Sequence, residues 1–352
     1  MIGKSRSTSQ SARALAEPRR SEFQTCIKKR LFPLLQEPLG AVDIGIYLHL
    51  SKSQLHNLTI KYDILLVALK IIYLFIDGVG LREPAVDNPL NKEVCPTLWR
   101  LIERHSKPID ARLGVEGLPQ SATGQATMFT GVNCAAAVGR HCEGFPGVEL
   151  RRIIEDNNLF IELKKRNRRV RFADAYLADS AEEVGARRFK SVTTVMALTV
   201  PESISVTEDL MEDRALMQDL TRETIQDRYP DIPVVAPQRA AEHLFRIALQ
   251  NDFTLYEFFQ TDVSGHSMDY ARACAVLRIY DRFLAALVRC TEAAGITLVI
   301  TADHGNVEAM NERGHTLNPV PFIAFGPGEG WMRDRVNSLQ DVTPAILEAF
   351  DK

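Results

Sequence analysis

The run Ile71-Ile72-Tyr73-Leu74-Phe75-Ile76 constrains this chain more than any other stretch. It is β-branched and aromatic, apolar at every position rather than at alternate ones, and it stops at Asp77-Gly78-Val79-Gly80. A strand that is apolar on both faces has to be covered on both faces, which predicts the central strand of a parallel sheet packed between helices. The longer apolar stretch that contains it, Ile64 to Ile76, is interrupted by Lys70 and falls short of the roughly 20 residues of a membrane helix.

Similar runs recur. Thr254 to Gln260 and Ile296 to Thr301 each deliver an acidic residue just past their ends, Asp262 and Asp303, and Pro321 to Phe325 is stopped by Gly326-Pro327-Gly328. Between the first two, Ser267 to Cys290 places Tyr270, Cys274, Leu277, Leu284 and Leu287 at helical spacing. Strand, helix, strand predicts a right-handed parallel crossover. Residues 134–235 read differently: a basic cluster, Lys164-Lys165-Arg166-Asn167-Arg168-Arg169, then the alternating stretch Ser191-Val192-Thr193-Thr194-Val195, then acidic helical turns, with Pro230, Pro233 and Pro237 marking the return. The expected organisation is an N-terminal extension over 1–69, partly disordered, a catalytic core built from 70–133 and 236–352, and an inserted smaller α+β cap domain over 134–235. The basic cluster suits a phosphorylated ligand or, more simply, a solvated charge run.

The composition, 45% hydrophobic and 25% charged over 352 residues, is that of a soluble globular protein, and a net charge of -3 gives no reason to expect nucleic acid or a membrane surface as partner. Cys26, Cys95, Cys134, Cys142, Cys274 and Cys290 are scattered, with no Cys-x-x-Cys pair, which fits a reducing compartment and a cytoplasmic location. The first thirty residues carry eight Lys or Arg against two acidic residues, among many serines. That pattern fits an organellar transit peptide, or else a plain disordered extension.

The chemistry lies where the strands end, the edge at which open α/β sheets keep their sites. Asp262 and His266, with three residues between them, can converge on one divalent ion through a carboxylate oxygen and a neutral imidazole nitrogen, although an acid-histidine hydrogen bond on a turn is the commoner use of such a pair. Asp303 and His304, adjacent past a buried strand, point in opposite directions and can reach two ions or two sides of one. His315 follows in a Gly314-His315-Thr316 loop. Ser121 opens Ser121-Ala122-Thr123-Gly124-Gln125, where a helix can start. A hydroxyl at a helix amino terminus beside a cation is a candidate nucleophile, and free backbone amides there welcome phosphate. Thr123 is its rival.

These stretches together resemble the alkaline phosphatase superfamily, most closely the metalloenzyme branch that holds cofactor-independent phosphoglycerate mutase and phosphopentomutase. The resemblance runs from about Lys70 to the carboxyl end and rests on Asp77-Gly78, Ser121-x-x-Gly124, Thr261-Asp262-x-x-Gly265-His266, Thr301-Ala302-Asp303-His304-Gly305-Asn306, and His315-Thr316 leading into Asn318-Pro319-Val320-Pro321-Phe322. It implies an α/β, alkaline-phosphatase-like sandwich with a mostly parallel sheet. It also implies two divalent ions, manganese or zinc with magnesium as the alternative. Asp77, Ser121, Asp303 and His304 would hold one, and Asp262, His266 and His315 the other. Ser121, three residues before the motif glycine, is then the nucleophile in preference to Thr123. The implied activity is phosphoryl transfer from a small phosphorylated metabolite through a phosphoserine, as a phosphomutase or a phosphatase. From a different class, a metal-stabilised binding or regulatory protein without turnover would keep the same residues. Gln125 stands where the two mutases have histidine, and the arginine motifs of the phosphoglycerate mutase cap are missing from the insert.

Overall fold

The computed structural model of the chain describes residues 69–352, which belong to one compact unit, Leu66–Lys352. The N-terminal extension, with its transit-peptide reading and Cys26, lies outside the described residues. Six strands form one sheet: β1 (Ile71–Ile76), β2 (Ser106–Ile109), β3 (Val170–Phe172), β4 (Phe253–Phe258), β5 (Thr297–Thr301) and β6 (Val320–Phe325), in the order β2-β6-β5-β1-β4-β3. The three pairings β5-β1, β1-β4 and β4-β3 are parallel, whereas β6 runs antiparallel to both of its neighbours. Helices flank this mostly parallel sheet.

β1 is central, and every one of its side chains is buried, which is what an unbroken apolar run demands of a strand covered on both faces. Its register puts Ile71 opposite Phe253 and Thr297, and Phe75 opposite Glu257 and Thr301. The carboxyl ends of β1, β4 and β5 therefore lie level, so the residues that follow them, Asp77, Asp262 and Asp303, emerge at one edge of the sheet. The antiparallel turn of β6 has a consequence for the site. Thr301 pairs with Phe322 and Leu298 with Phe325, so the segment from Ala302 to Pro319 leaves and re-enters the sheet at that same edge, carrying His315 with it.

The crossover helix spans Tyr270–Ala294 and buries Cys274, Leu277, Leu284 and Leu287 as its spacing predicts. Tyr270 is exposed because it opens the helix, next to Asp269, whose side chain accepts the Arg272 N–H at 3.0 Å. Asp281, buried on the same helix, accepts the main-chain N–H groups of Thr97 and Leu98, both at 2.8 Å, and so satisfies the amino terminus of the helix Pro96–His105.

Part of the segment 134–235 joins the main sheet and its core. Val170–Phe172 adds a parallel strand to β4, and Leu150, Ile154, Leu159, Phe160 and Leu163 belong to the same apolar core as β1. A smaller cluster of Leu210, Ala215, Met217, Ile225 and Ile232 packs separately and is the one part of the insert with a core of its own. The alternating stretch at 191–195 is helical: Val192–Leu198 starts at Ser191, whose hydroxyl accepts the Thr194 N–H. That cap and burial of Val192 through Ala197 outweigh the modest helix preference of Val and Thr. The basic cluster is laced into local pairs, with Lys164 to Glu202, Arg166 to Glu162 and Asp351, and Arg169 to Asp252. It reads as a charged surface.

Candidate metal centre

β1 ends in Asp77, buried, and turns at Gly78 with φ +69, where a Cβ would come within 2.6 Å of Asp262 Oδ1. The turn thus has to be glycine both for its backbone and for the close approach of the Asp262 carboxylate. β4 runs into the helix Gln260–Ser267, so the spacer between Asp262 and His266 is one helical turn rather than a loop. The i,i+4 relation puts the two on one face, with His266 Nε2 3.3 Å from Asp262 Oδ2. His315 meets them from the 302–319 segment: its Nε2 lies 3.2 Å from His266 Nε2 and 3.7 Å from Asp262 Oδ1. The His315 Nδ1–H donates to the Pro119 carbonyl at 2.8 Å, which leaves the Nε2 lone pair facing Asp262 and His266.

A second convergence adjoins the first. His304 is fully buried, and its Nε2 lies 2.9 Å from Ser121 Oγ, 3.4 Å from Asp77 Oδ1 and 3.5 Å from Asp303 Oδ2. Its ring stacks on that of His315 at 3.6 Å between centroids. Asp262, His266 and His315 offer ligand atoms all within 4.8 Å of one another, and so do Asp77, Asp262 and His304. All seven residues that the sequence singled out thus meet, with Asp262 shared by the two groups. Asp303 sits slightly aside, its Oδ1 accepting the Gly78 N–H at 3.4 Å and its Oδ2 accepting Gln125 Nε2 at 3.0 Å.

Electrostatically the cluster is short of positive charge. Burial, then the neighbouring Asp303 and Asp262 carboxylates, push the Asp77 carboxyl well above its usual range, and burial also raises Asp303. Burial, helped by His315, lowers His304 to about 3, so its imidazole is neutral. Asp77 Oδ1 is buried without a hydrogen-bond donor among the described residues. Several lone-pair atoms aimed at one place, with an orphaned buried carboxylate oxygen among them, are a donor set that fits divalent cations.

Ser121 is the first residue of the helix Ser121–Thr130, whose internal bonding begins with Gly124 N–H to the Gln120 carbonyl at 2.8 Å. The Thr123 N–H goes to the Cys142 carbonyl, so the amides of Ser121 and Ala122 remain for a ligand. Ser121 lines a cavity of about 920 Å³ together with Asp77 and Asp262. Thr123 is fully buried, and its hydroxyl donates to the Gln120 carbonyl and accepts the Cys142 N–H. Thr123 is not among the residues that line the cavity. At Gly124 a Cβ would sit 2.9 Å from the Asp303 carbonyl oxygen, so only glycine lets this helix press against the segment that carries Asp303 and His304.

Three more residues hold the site: Gln125 and Asn306 had no role of their own in the sequence, one a departure from the family pattern and the other part of a motif, and Glu308 did not figure in it. Gln125 donates from one Nε2 to Asp303 and, at 3.3 Å, to Asp77. Asn306 Nδ2 donates to Asp262 Oδ1 at 2.6 Å. Glu308, fully buried, accepts the main-chain N–H groups of Gly80 at 2.9 Å and Asn306 at 2.8 Å, the Thr316 hydroxyl, and Asn318 Nδ2 at 3.0 Å. It knots together the three segments that carry Asp77, Asn306 and His315. A carboxylate five residues past Asp303 in an otherwise small and apolar stretch was the available signal.

Residues 69–351 match the family model described as the Metalloenzyme superfamily. The chain is 35% identical over 145 residues to the 2,3-bisphosphoglycerate-independent phosphoglycerate mutase of Dinoroseobacter shibae, a match covering 36% of this chain and 28% of that one. It is 36% identical over 106 residues to the enzyme of the same name from Myxococcus xanthus, covering 28% and 21%. The chain thus spans well under half the length of the curated relatives it matches. In structure it is similar to a cold-active alkaline phosphatase from the psychrophile Shewanella sp., with a TM-score of 0.51 at 12% identity, covering 81% of this chain and 100% of that one. That likeness shows the alkaline-phosphatase-like fold. No helix among the described residues is long and apolar enough to cross a membrane.

Proposed function

The chain belongs to the Metalloenzyme superfamily, and from that premise we propose that it is a two-metal phosphoryl-transfer enzyme acting on a small phosphate monoester through a phosphoserine at Ser121. The observation that carries the reading is the position of the Ser121 hydroxyl, 2.9 Å from the His304 nitrogen on which the Asp77 and Asp303 carboxylates also converge. Asp77, Asp303, His304 and Ser121 would hold one divalent cation and Asp262, His266 and His315 the other. Bound there, two such ions supply a lowered Ser121 pKa and neutralise charge on the phosphoryl oxygens.

The remaining steps belong to the chain's own groups. The free amides of Ser121 and Ala122 at the helix terminus orient the phosphoryl group. Ser121 Oγ, its proton lost to solvent, then attacks phosphorus in line, the P–O bond to the alcohol breaks, and the leaving alkoxide takes up a proton from water. Asn306 holds Asp262, and Gln125 holds Asp77 and Asp303, in the geometry this requires. Transfer of the phosphoryl group from Ser121 to water completes a phosphatase cycle, and transfer to another hydroxyl of the same molecule completes a mutase cycle. The curated relatives named as phosphoglycerate mutases favour intramolecular transfer; the alkaline phosphatase fold is compatible with both.

The test is to load the protein with manganese, zinc or magnesium, offer phosphate monoesters, and follow phosphorus NMR for release or relocation of phosphate. Turnover that vanishes in Ser121→Ala while metal content persists is the expected result. Full turnover in that variant would remove Ser121 from the mechanism.

A further inference from the structure

The cavity of about 920 Å³ that opens onto Ser121 is far larger than a phosphate group needs, and one wall of it is polar in an unusual way. Glu257, on β4, is nine-tenths buried there. Its Oε2 accepts the Thr193 hydroxyl at 2.6 Å, and no described residue donates to its Oε1. Asp174 lies beside it and receives one donor from another residue, the Glu257 N–H at 2.8 Å. No lysine or arginine among the described residues pairs with either carboxylate. The chain continues as hydroxyls: Thr193 and Thr194 each lie 2.8 Å from Ser191 Oγ, and the Tyr176 hydroxyl donates to Thr194 Oγ1 at 2.8 Å.

Two carboxyls, Glu257 nine-tenths buried and Asp174 half-buried, that each accept one donor and have acceptor capacity to spare, set beside a row of hydroxyls, form a surface with more acceptors than donors. Burial accordingly raises both acids, Glu257 to about 7 and Asp174 well above its usual range. A ligand that brings donors relieves that deficit. One that brings a carboxylate finds few donors to meet it and adds a like charge wherever either acid is ionised. The two arginines that line the cavity, Arg187 and Arg228, are exposed, stacked over Tyr176 and Tyr229, and pair with neither acid, and Arg187 is bonded to the Leu177 carbonyl.

We propose that Asp174 and Glu257 are the specificity wall of this cavity, accepting hydrogen bonds from the hydroxyl groups of a polyhydroxylated phosphate monoester and rejecting one whose alcohol part carries a carboxylate. This rests on the reading of Ser121 and its surrounding ligands as the phosphoryl-transfer site.

The experiment measures binding without turnover. The manganese-loaded Ser121→Ala protein is titrated calorimetrically with sorbitol 6-phosphate, 3-phosphoglycerate and inorganic phosphate, alone and combined with Asp174→Asn, Glu257→Gln or Thr193→Val. The polyol phosphate should bind at least about ten-fold tighter than inorganic phosphate, the worth of one hydrogen bond to a charged acceptor, and 3-phosphoglycerate no tighter than phosphate. Asp174→Asn and Glu257→Gln should each erase most of the polyol advantage and strengthen 3-phosphoglycerate. Thr193→Val should weaken the polyol alone. Inorganic phosphate binding reports that each variant is folded. Tighter binding of 3-phosphoglycerate than of the polyol, or equal weakening of all three ligands by the wall variants, would overturn the proposal. If this binding pattern holds while the unmutated protein turns over no phosphate monoester, the wall stands and the catalytic reading falls.

Discussion

Glu308→Ala offers the sharpest test of how the site is held. Four donors converge on the two carboxylate oxygens of this fully buried residue: the Gly80 and Asn306 main-chain N–H groups on Oε2, the Thr316 hydroxyl and the Asn318 amide on Oε1. Truncation orphans all four, at about 1–3 kcal/mol each, and water entering the vacated space recovers part of that, so the expected loss is about 4 kcal/mol or more. Glu308→Gln is the control. Its amide oxygen can keep the two main-chain donors while its NH₂ faces Thr316 and Asn318, whose hydroxyl and amide can each reorient to accept, so it should cost only about 1–2 kcal/mol. Urea unfolding of the metal-free proteins measures both. Because Asn306 orients Asp262, manganese affinity should also fall about 10–100-fold in the alanine variant. An alanine variant within about 0.5 kcal/mol of wild type, or one no worse than the glutamine variant, would refute the reasoning.

Two further outcomes follow from the same geometry. His266→Ala or Asp262→Asn should lower the cation content below two per chain by elemental analysis, with His266→Ala retaining the ion beside His304; unchanged content would undo the assignment. In the metal-free protein, Glu257 titrates at about 7 rather than its ordinary 4.5, so its contribution to stability is fully present below 4.5 and is lost as pH rises through 7. Wild type should therefore lose roughly 3 kcal/mol relative to Glu257→Gln between those limits, a difference that stays constant with pH if Glu257 is not held up by burial.

The sheet was legible wherever burial on both faces leaves a mostly apolar run, as in β1, β4 and β5, and the acids past those runs marked the site because level strand ends gather whatever follows them. β3 was hidden because three residues beside a basic cluster carry no periodicity, and its place comes from pairing with β4. Val192–Leu198 misled because its β-branched residues suit a strand until the Ser191 cap and tertiary burial decide otherwise. Glu257 could have been found. A charged residue inside the run Thr254 to Gln260 has no reason to be buried unless something meets it, and that is the signal Glu257 carries.

The account depends on two cations gathered at the ends of β1, β4 and β5, and anomalous X-ray scattering from crystals of the manganese-loaded protein addresses that directly. It predicts two peaks per chain, one among Asp262, His266 and His315 and one among Asp77, Asp303, His304 and Ser121. The absence of peaks at these residues, or a single peak elsewhere, would contradict it.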